Sequence, residues 1–258
     1  MTRKLSMDAA SGARPAGVAD AATAAENIQQ MFDTIAPTYD RANHLLSFGI
    51  DQYWWRRAAW ALRRTLRRPE AVVLDLCCGT GDMTLALDRY RPRGAEQDEA
   101  APILAADFSH QMLARGQQKF ALRNIVSVEA DALNLPLADS SVDLVTAAFG
   151  FRNLTDYPAG LREIHRVLKP GGEIAILECN MPGGVIGALY LLYFQHVLPI
   201  LGGLVSRSPR AYAYLPDSVM RFPRPPRMRQ LLAEAGFAEP TWSSYTFGTA
   251  GLYRGRKG

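Results

Sequence analysis

From about residue 70 the sequence alternates apolar runs of strand length with helical stretches, and the first junction in that series is a glycine-rich turn. "VVLDLCCGTGDMTLAL" (72–87) reads as a buried strand, a tight turn and the opening of a helix. "PILAADF", "IVSVEAD", "VDLVTAAF" and "EIAILEC" read as four further strands. Between them lie "SHQMLARGQQKFALR", with Ser109 as its N-cap, and "YPAGLREIHRVLK". Strands joined by helical crossovers imply a parallel sheet with right-handed connections. After the helix "PPRMRQLLAEAGF", the segments "TWSSYTF" and "GLYRGRK" suit a hairpin returning to the sheet edge. A chain of 258 residues, 48% of them hydrophobic, can bury one sizeable core, so a single α/β domain is expected.

In an open parallel sheet a ligand sits at the carboxyl ends of the strands, near the switch in strand order. Gly79 and Gly81, with Thr80 between them, let backbone approach such a ligand closely. A dinucleotide fingerprint requires a third glycine where this chain has Thr84, which argues against a nicotinamide oxidoreductase. The acid precedes the turn instead, at Asp75, and D-x-x-x-G-x-G resembles the first motif of S-adenosylmethionine-dependent methyltransferases. Asp107 ends the second strand, where an acid accepts hydrogen bonds from a ribose diol. Asp131 and Ala132 follow the third strand, where the resemblance implies an adenine contact. Any one of these acids could be a cap or a turn residue; three at successive strand ends favour a ligand site.

The net charge of +4 is too small to imply nucleic acid. Cys77, Cys78 and Cys179 have no metal-ligand spacing, so no metal is expected, and a reduced cytoplasmic setting fits them. Residues 1–27, rich in Ala, Gly and Ser, read as a disordered tail before a single domain at 28–258. The apolar run 184–205 is nearly long enough to span a bilayer, but Gln195, His196 and Pro199 at its centre favour a buried or interfacial helix pair.

The fourth strand runs into "AAFGFRNL", without the Pro-Pro-aromatic or Pro-Cys signals of nucleic-acid methyltransferases. Gly150-Phe151-Arg152-Asn153 resembles the ubiquinone/menaquinone biosynthesis C-methyltransferase family. "MFDTIAPTYDRANHLLSFGIDQYWWRR", "RNLTDYPAGLREIHRVLKPGG" and "YAYLPDSVMRFP" are similar to that family's signatures, and the resemblance runs from about residue 28 to the C-terminus. It implies a Rossmann-like class I methyltransferase fold, mostly parallel with an antiparallel last strand. It also implies methyl transfer from S-adenosylmethionine to a ring carbon of a prenylated quinol, demethylmenaquinol or the ubiquinone-pathway benzoquinol. A non-catalytic membrane or assembly factor that keeps the fold is the remaining alternative. Ala148 stands where some members carry a cofactor-touching serine, and Tyr253 replaces a frequent histidine.

Carbon attack needs a neighbouring phenolate and a group that stabilises it. By resemblance Arg152 and Asn153 are the catalytic candidates, with Arg152 stabilising the oxyanion or orienting a water. The competing reading pairs Arg152 with a carboxylate such as Asp156. Tyr39, Asp40 and Asn43 fall on a lid segment, 28–68, where Tyr39 could bond the quinol oxygen; His196 is a second candidate base. Residues 184–220 read as an apolar helical insertion on the substrate side, suited to an isoprenoid tail. Trp55, Ala59, Leu62 and Leu66 share a helical face beside six arginines, which is either a peripheral contact on the inner face of the membrane or an ordinary core stripe. A homo-oligomer is compatible with the sequence.

Overall fold

The computed structural model describes residues 12–15, 18, 20–93, 100–198 and 209–258, the side chains of the last stretch from residue 214 onward. Helices α1 (Ala21–Ile35), α2 (Tyr39–Leu46) and α3 (Ile50–Leu66) precede the sheet. Then follow β1 (Val73–Leu76), α4 (Asp82–Asp88), β2 (Ile103–Asp107), α5 (His110–Lys119), β3 (Ile125–Glu129), β4 (Val142–Ala148), α6 (Tyr157–Val167) and β5 (Leu168–Cys179). The chain continues through α7 (Gly184–Leu192), a π-helical turn over Tyr193–Val197, α8 (Pro209–Arg221), α9 (Pro225–Glu234), β6 (Phe237–Tyr245) and β7 (Ala250–Lys257).

The strand order is β3-β2-β1-β4-β5-β7-β6. β1 pairs in parallel with both β2 and β4, so the order reverses across it and opens a crevice beyond its carboxyl end. All four β1 residues are buried, as a central parallel strand covered on both faces requires. β7 runs antiparallel between β5 and β6, which is the returning hairpin expected from the sequence. β5 starts at Leu168 rather than Glu173, because Leu168 pairs with Val142 ahead of a register shift that absorbs Pro170-Gly171-Gly172.

One sheet face packs on α6 and α9 through Leu161, Ile164, Met228 and Leu232; the other packs on α3 and α4. Ala59, Leu62 and Leu66 are at most 1% exposed on that second face. The α3 stripe is therefore core, which corrects the membrane reading of those residues; Trp55, half-buried, turns towards the crevice.

Order also begins earlier than residue 28. Asp20 caps α1 by accepting from the Thr23 amide at 2.8 Å, Ala24 is fully buried, and the Ala13 amide donates to the Leu154 carbonyl at 2.7 Å. The tail assignment to residues 1–27 is thus too long; residues 1–11, 16, 17 and 19 lie outside the described residues, as do 94–99 in the loop after α4. The apolar run is helical from Gly184 to Leu192, and its part from 199 onward falls outside the described residues. No helix among those described is long and apolar enough to cross a membrane.

Candidate active site

A cleft of ≈ 450 Å³ opens at the carboxyl ends of β1 to β4, within the range usual for small-molecule sites. Gly79, Thr80, Asp107, Asp131, Ala132 and Ala148 line it, as the sequence anticipates. Gly79 has φ +56, and a Cβ built there would meet only the Tyr39 ring at 3.9 Å, so this backbone faces open space rather than packed protein. Asp107 forms the floor: Oδ2 accepts from the Gly79 amide at 2.8 Å and Oδ1 from the Ser109 amide at 2.9 Å. Each oxygen keeps a free lone pair. Burial raises the Asp107 pKa to about 6 against the pull of those backbone donors. Asp131 bonds the Leu133 amide at 2.9 Å, which fixes the turn that carries Ala132.

Asp75 and Gly81 do not line the cleft. Asp75 is fully buried and accepts from Thr84 Oγ1 at 2.6 Å and Thr146 Oγ1 at 2.7 Å. Thr84, where a dinucleotide fingerprint wants glycine, thus serves as the clamp that orients α4 on β1. Gly81 caps α4 at φ +87, and a Cβ there would lie 2.3 Å from the Phe120 ring, so its glycine is required by packing. Burial lifts the Asp75 pKa to about 6, opposed by its two threonine bonds. A folded-state pKa above the unfolded value of about 4 favours the neutral acid, so this contribution to stability is complete below pH 4 and lost as pH rises through 6. Asp75→Asn is expected to flatten that part of the stability profile and to raise the urea midpoint at pH 7.5. An unchanged slope between pH 4 and 6 would assign the effect elsewhere.

α1 and α2 close over the cleft. Gln29 Nε2 donates to the Phe108 carbonyl at 2.7 Å, and Ser109 Oγ donates to Asp33 at 2.5 Å, which fastens α1 to the β2–α5 corner. Thr80 Oγ1 donates to Asp40 at 2.5 Å, and Lys119 pairs with Asp40 at 2.7 Å and Asp82 at 2.9 Å, which fastens α2 to the glycine turn. Tyr39 and Asn43 then face the cleft with Phe32, Trp55 and Phe149. Burial raises the Tyr39 pKa despite the nearby Arg152 charge, so the phenol is a neutral donor at physiological pH. Asn153 also lines the cleft, and its Oδ1 accepts from the Tyr214 hydroxyl at 3.1 Å.

Arg152 lies behind this wall rather than in it. It is 6% exposed, its Nη1 pairs with Glu178 at 2.7 Å and also donates to the Phe149 carbonyl, and its own amide donates to Glu178 at 3.1 Å. Burial disfavours the charge, but Glu178 overrides this and raises the arginine pKa. The partner is β5's Glu178, not Asp156, which instead caps α6 by accepting from the Ala159 amide. His196 is exposed on the π-helical turn and does not line the cleft, so neither a catalytic nor a core position holds for it. Phe32, Trp55, Phe108 and Phe149 were missed as lining residues. Glu178 had a legible signal: an acid inside the apolar run "IAILEC" needs a buried cation.

A model of the ubiE/COQ5 methyltransferase family matches residues 20–257. A demethylmenaquinone methyltransferase from Deinococcus radiodurans is 44% identical over 93% of this chain and 96% of its own length. A ubiquinone/menaquinone biosynthesis C-methyltransferase from Geotalea daltonii is 42% identical over 90% of this chain and 97% of its own. Among solved structures, a possible histamine N-methyltransferase from Thermotoga maritima, dependent on S-adenosylmethionine, superposes with a TM-score of 0.62. It covers 89% of this chain and 99% of its own at 19% identity, a likeness of fold. A crevice at the sheet's switch point, walled by two N-terminal helices, and matches that run nearly end to end agree: the chain belongs to the ubiE/COQ5 methyltransferase family.

Proposed function

We propose that the protein methylates a ring carbon of a prenylated quinol, demethylmenaquinol first, with S-adenosylmethionine as donor. The observation that carries this reading is the mixed lining of the cleft. Gly79, Asp107 and Ala132 offer backbone and a buried carboxylate to a nucleoside; Tyr39, Trp55 and Phe149 offer aromatic walls and a neutral hydrogen-bond donor to a ring. The residues fit the cofactor: Asp107 has lone pairs to spare for a diol, and the Gly79 backbone has room beside it. When bound, S-adenosylmethionine supplies an electrophilic methyl group on a sulfonium.

The protein's part is to hold a quinol carbon in line with that methyl group and to stabilise the adjacent oxygen as it loses its proton. Tyr39, kept protonated by burial, donates to this oxygen. Asn153, whose Oδ1 is occupied by Tyr214, presents its amide NH2 as a second donor. Arg152 acts through others: by gripping the Phe149 carbonyl and Glu178 it sets the 149–153 turn that carries Asn153 into the cleft. α1 and α2 exclude water from the reacting atoms.

The test is transfer of label from S-adenosylmethionine to each reduced precursor, with the wild type beside Tyr39→Phe. Losing one donor to the oxyanion is expected to lower turnover on the order of a hundredfold with cofactor affinity unchanged. Cofactor binding without turnover on any prenylated quinol would instead make the protein a non-catalytic factor.

A further inference from the structure

A second concavity, of ≈ 370 Å³, lies away from the cleft, between α3 and the outer face of β6 and β7. Five arginines line it: Arg57, Arg63 and Arg64 from α3, Arg254 and Arg256 from β7. The β7 pair follows from strand alternation. Leu252 is buried under α3, and Arg254 and Arg256 continue along the same face beyond the point where α3 covers it. One carboxylate, Glu173, shares the groove and is bound by Arg254. Arg57, Arg64 and Arg256 are exposed and form no ion pair among the described residues.

Two aromatic rings hold two of these guanidiniums, those of Arg57 and Arg63, in place. Arg63 sits 3.9 Å from the Trp60 ring centroid and donates to the Trp60 carbonyl at 2.8 Å. Arg57 lies between Trp60 and Tyr245, 5.7 and 6.0 Å from their centroids. Planar guanidiniums are suited to bidentate recognition of phosphate oxygens, and five arginines around one carboxylate repel one another until an anion arrives. The solvent side of the same helix carries Tyr53 and Trp60, 52% and 48% exposed, which are residue types that settle at the headgroup level of a bilayer.

We propose that this groove binds the phosphate of an anionic phospholipid headgroup and so docks the protein on a membrane surface through the solvent face of α3. The choice of a lipid over a free phosphate rests on the quinol reading, since a prenylated substrate resides in the bilayer, and on the exposed Tyr53 and Trp60. The contact uses the flank of α3 that borders the groove together with the solvent face that carries Tyr53 and Trp60.

The experiment is cosedimentation of the full-length protein with phosphatidylglycerol/phosphatidylcholine vesicles, with phosphatidylcholine vesicles alone, and with inorganic phosphate as a soluble competitor. No quinol and no S-adenosylmethionine are present, so failure here leaves the methyl-transfer reading standing, and the reverse holds equally. The wild type should partition to the anionic vesicles and be released by salt. Arg57→Gln/Arg64→Gln/Arg256→Gln should weaken that partition roughly a hundredfold, at about a factor of five for each arginine removed. Its melting temperature, and its turnover on detergent-solubilised quinol, should match the wild type, because none of the three residues lines the cleft. Equal partition of variant and wild type would overturn the proposal. So would indifference of the wild type to lipid charge, or release by millimolar inorganic phosphate at constant ionic strength.

Discussion

Arg152→Ala is expected to lose about 3 to 5 kcal/mol of folding stability, the cost typical of breaking a buried ion pair from one side. The loss arises less from the missing attraction than from what remains. Glu178 is fully buried, and without Arg152 its carboxylate would keep, among the described residues, only the backbone donors at residues 152 and 179. The Phe149 carbonyl and Ser218 would each lose a partner as well. Because the same guanidinium sets the 149–153 turn, cofactor and quinol binding should weaken together with stability. Arg152→Met combined with Glu178→Leu removes both charges and should recover most of the stability. Arg152→Lys keeps the charge but not the planar fork, and should recover only part. Urea unfolding and cofactor titration on this set separate the two roles. A folded Arg152→Ala protein with normal melting temperature and strongly reduced turnover would show that the arginine acts on the reaction itself, through its field at the cleft.

Arg152 also marks where sequence reading stops. The motif Gly150-Phe151-Arg152-Asn153 could be located on the loop after the fourth strand, and Asn153 does reach the cleft. Adjacent residues of a single turn point to opposite sides, however, and no one-dimensional pattern tells which side is the cleft. The partner is 26 residues away on β5, brought close by parallel pairing of β4 and β5. The strand-end positions were legible for a different reason. Strand periodicity and the switch-point rule together fix where a β1 turn and a β2 terminal acid must lie, so the place of Gly79 and Asp107 at the cleft is legible without tertiary information.

Periodicity reports that a helix face is apolar, not what covers it. On α3 the stripe Ala59–Leu62–Leu66 is covered by the sheet, and the Trp60 side bears the exposed aromatic and basic groups. The same ambiguity governs the 184–205 run, whose hydrophobicity is high all round. There Phe194 packs into the core beneath α1 and α2 while Val185, Leu189 and Leu192 remain exposed. His196 shares the exposed side, because a π-helical turn resets the angular position of every residue after Leu192.

Asp107→Ala is expected to weaken S-adenosylmethionine binding by about 2 to 4 kcal/mol, from some thirtyfold to nearly a thousandfold, if the carboxylate accepts two ribose hydroxyls. Burial holds the Asp107 pKa at about 6 in the free protein, so the unliganded fold favours the neutral acid, and this contribution to stability disappears as pH rises through 6. Hydroxyl donors favour the ionised form, so the ligand must pull the pKa down as it binds. By linkage, wild-type affinity should be flat above pH 7 and fall by up to about tenfold per pH unit below 6. Asp107→Asn, which mimics the neutral acid in shape, should bind weakly at every pH and approach the wild type near pH 5. Calorimetry of cofactor binding between pH 5 and 8 on the three proteins, each first shown to be folded, reads these outcomes directly. A pH-independent wild-type Kd, or full affinity in a folded Asp107→Ala protein, would remove the carboxylate from the nucleoside site and leave it only the task of bridging the Gly79 and Ser109 amides.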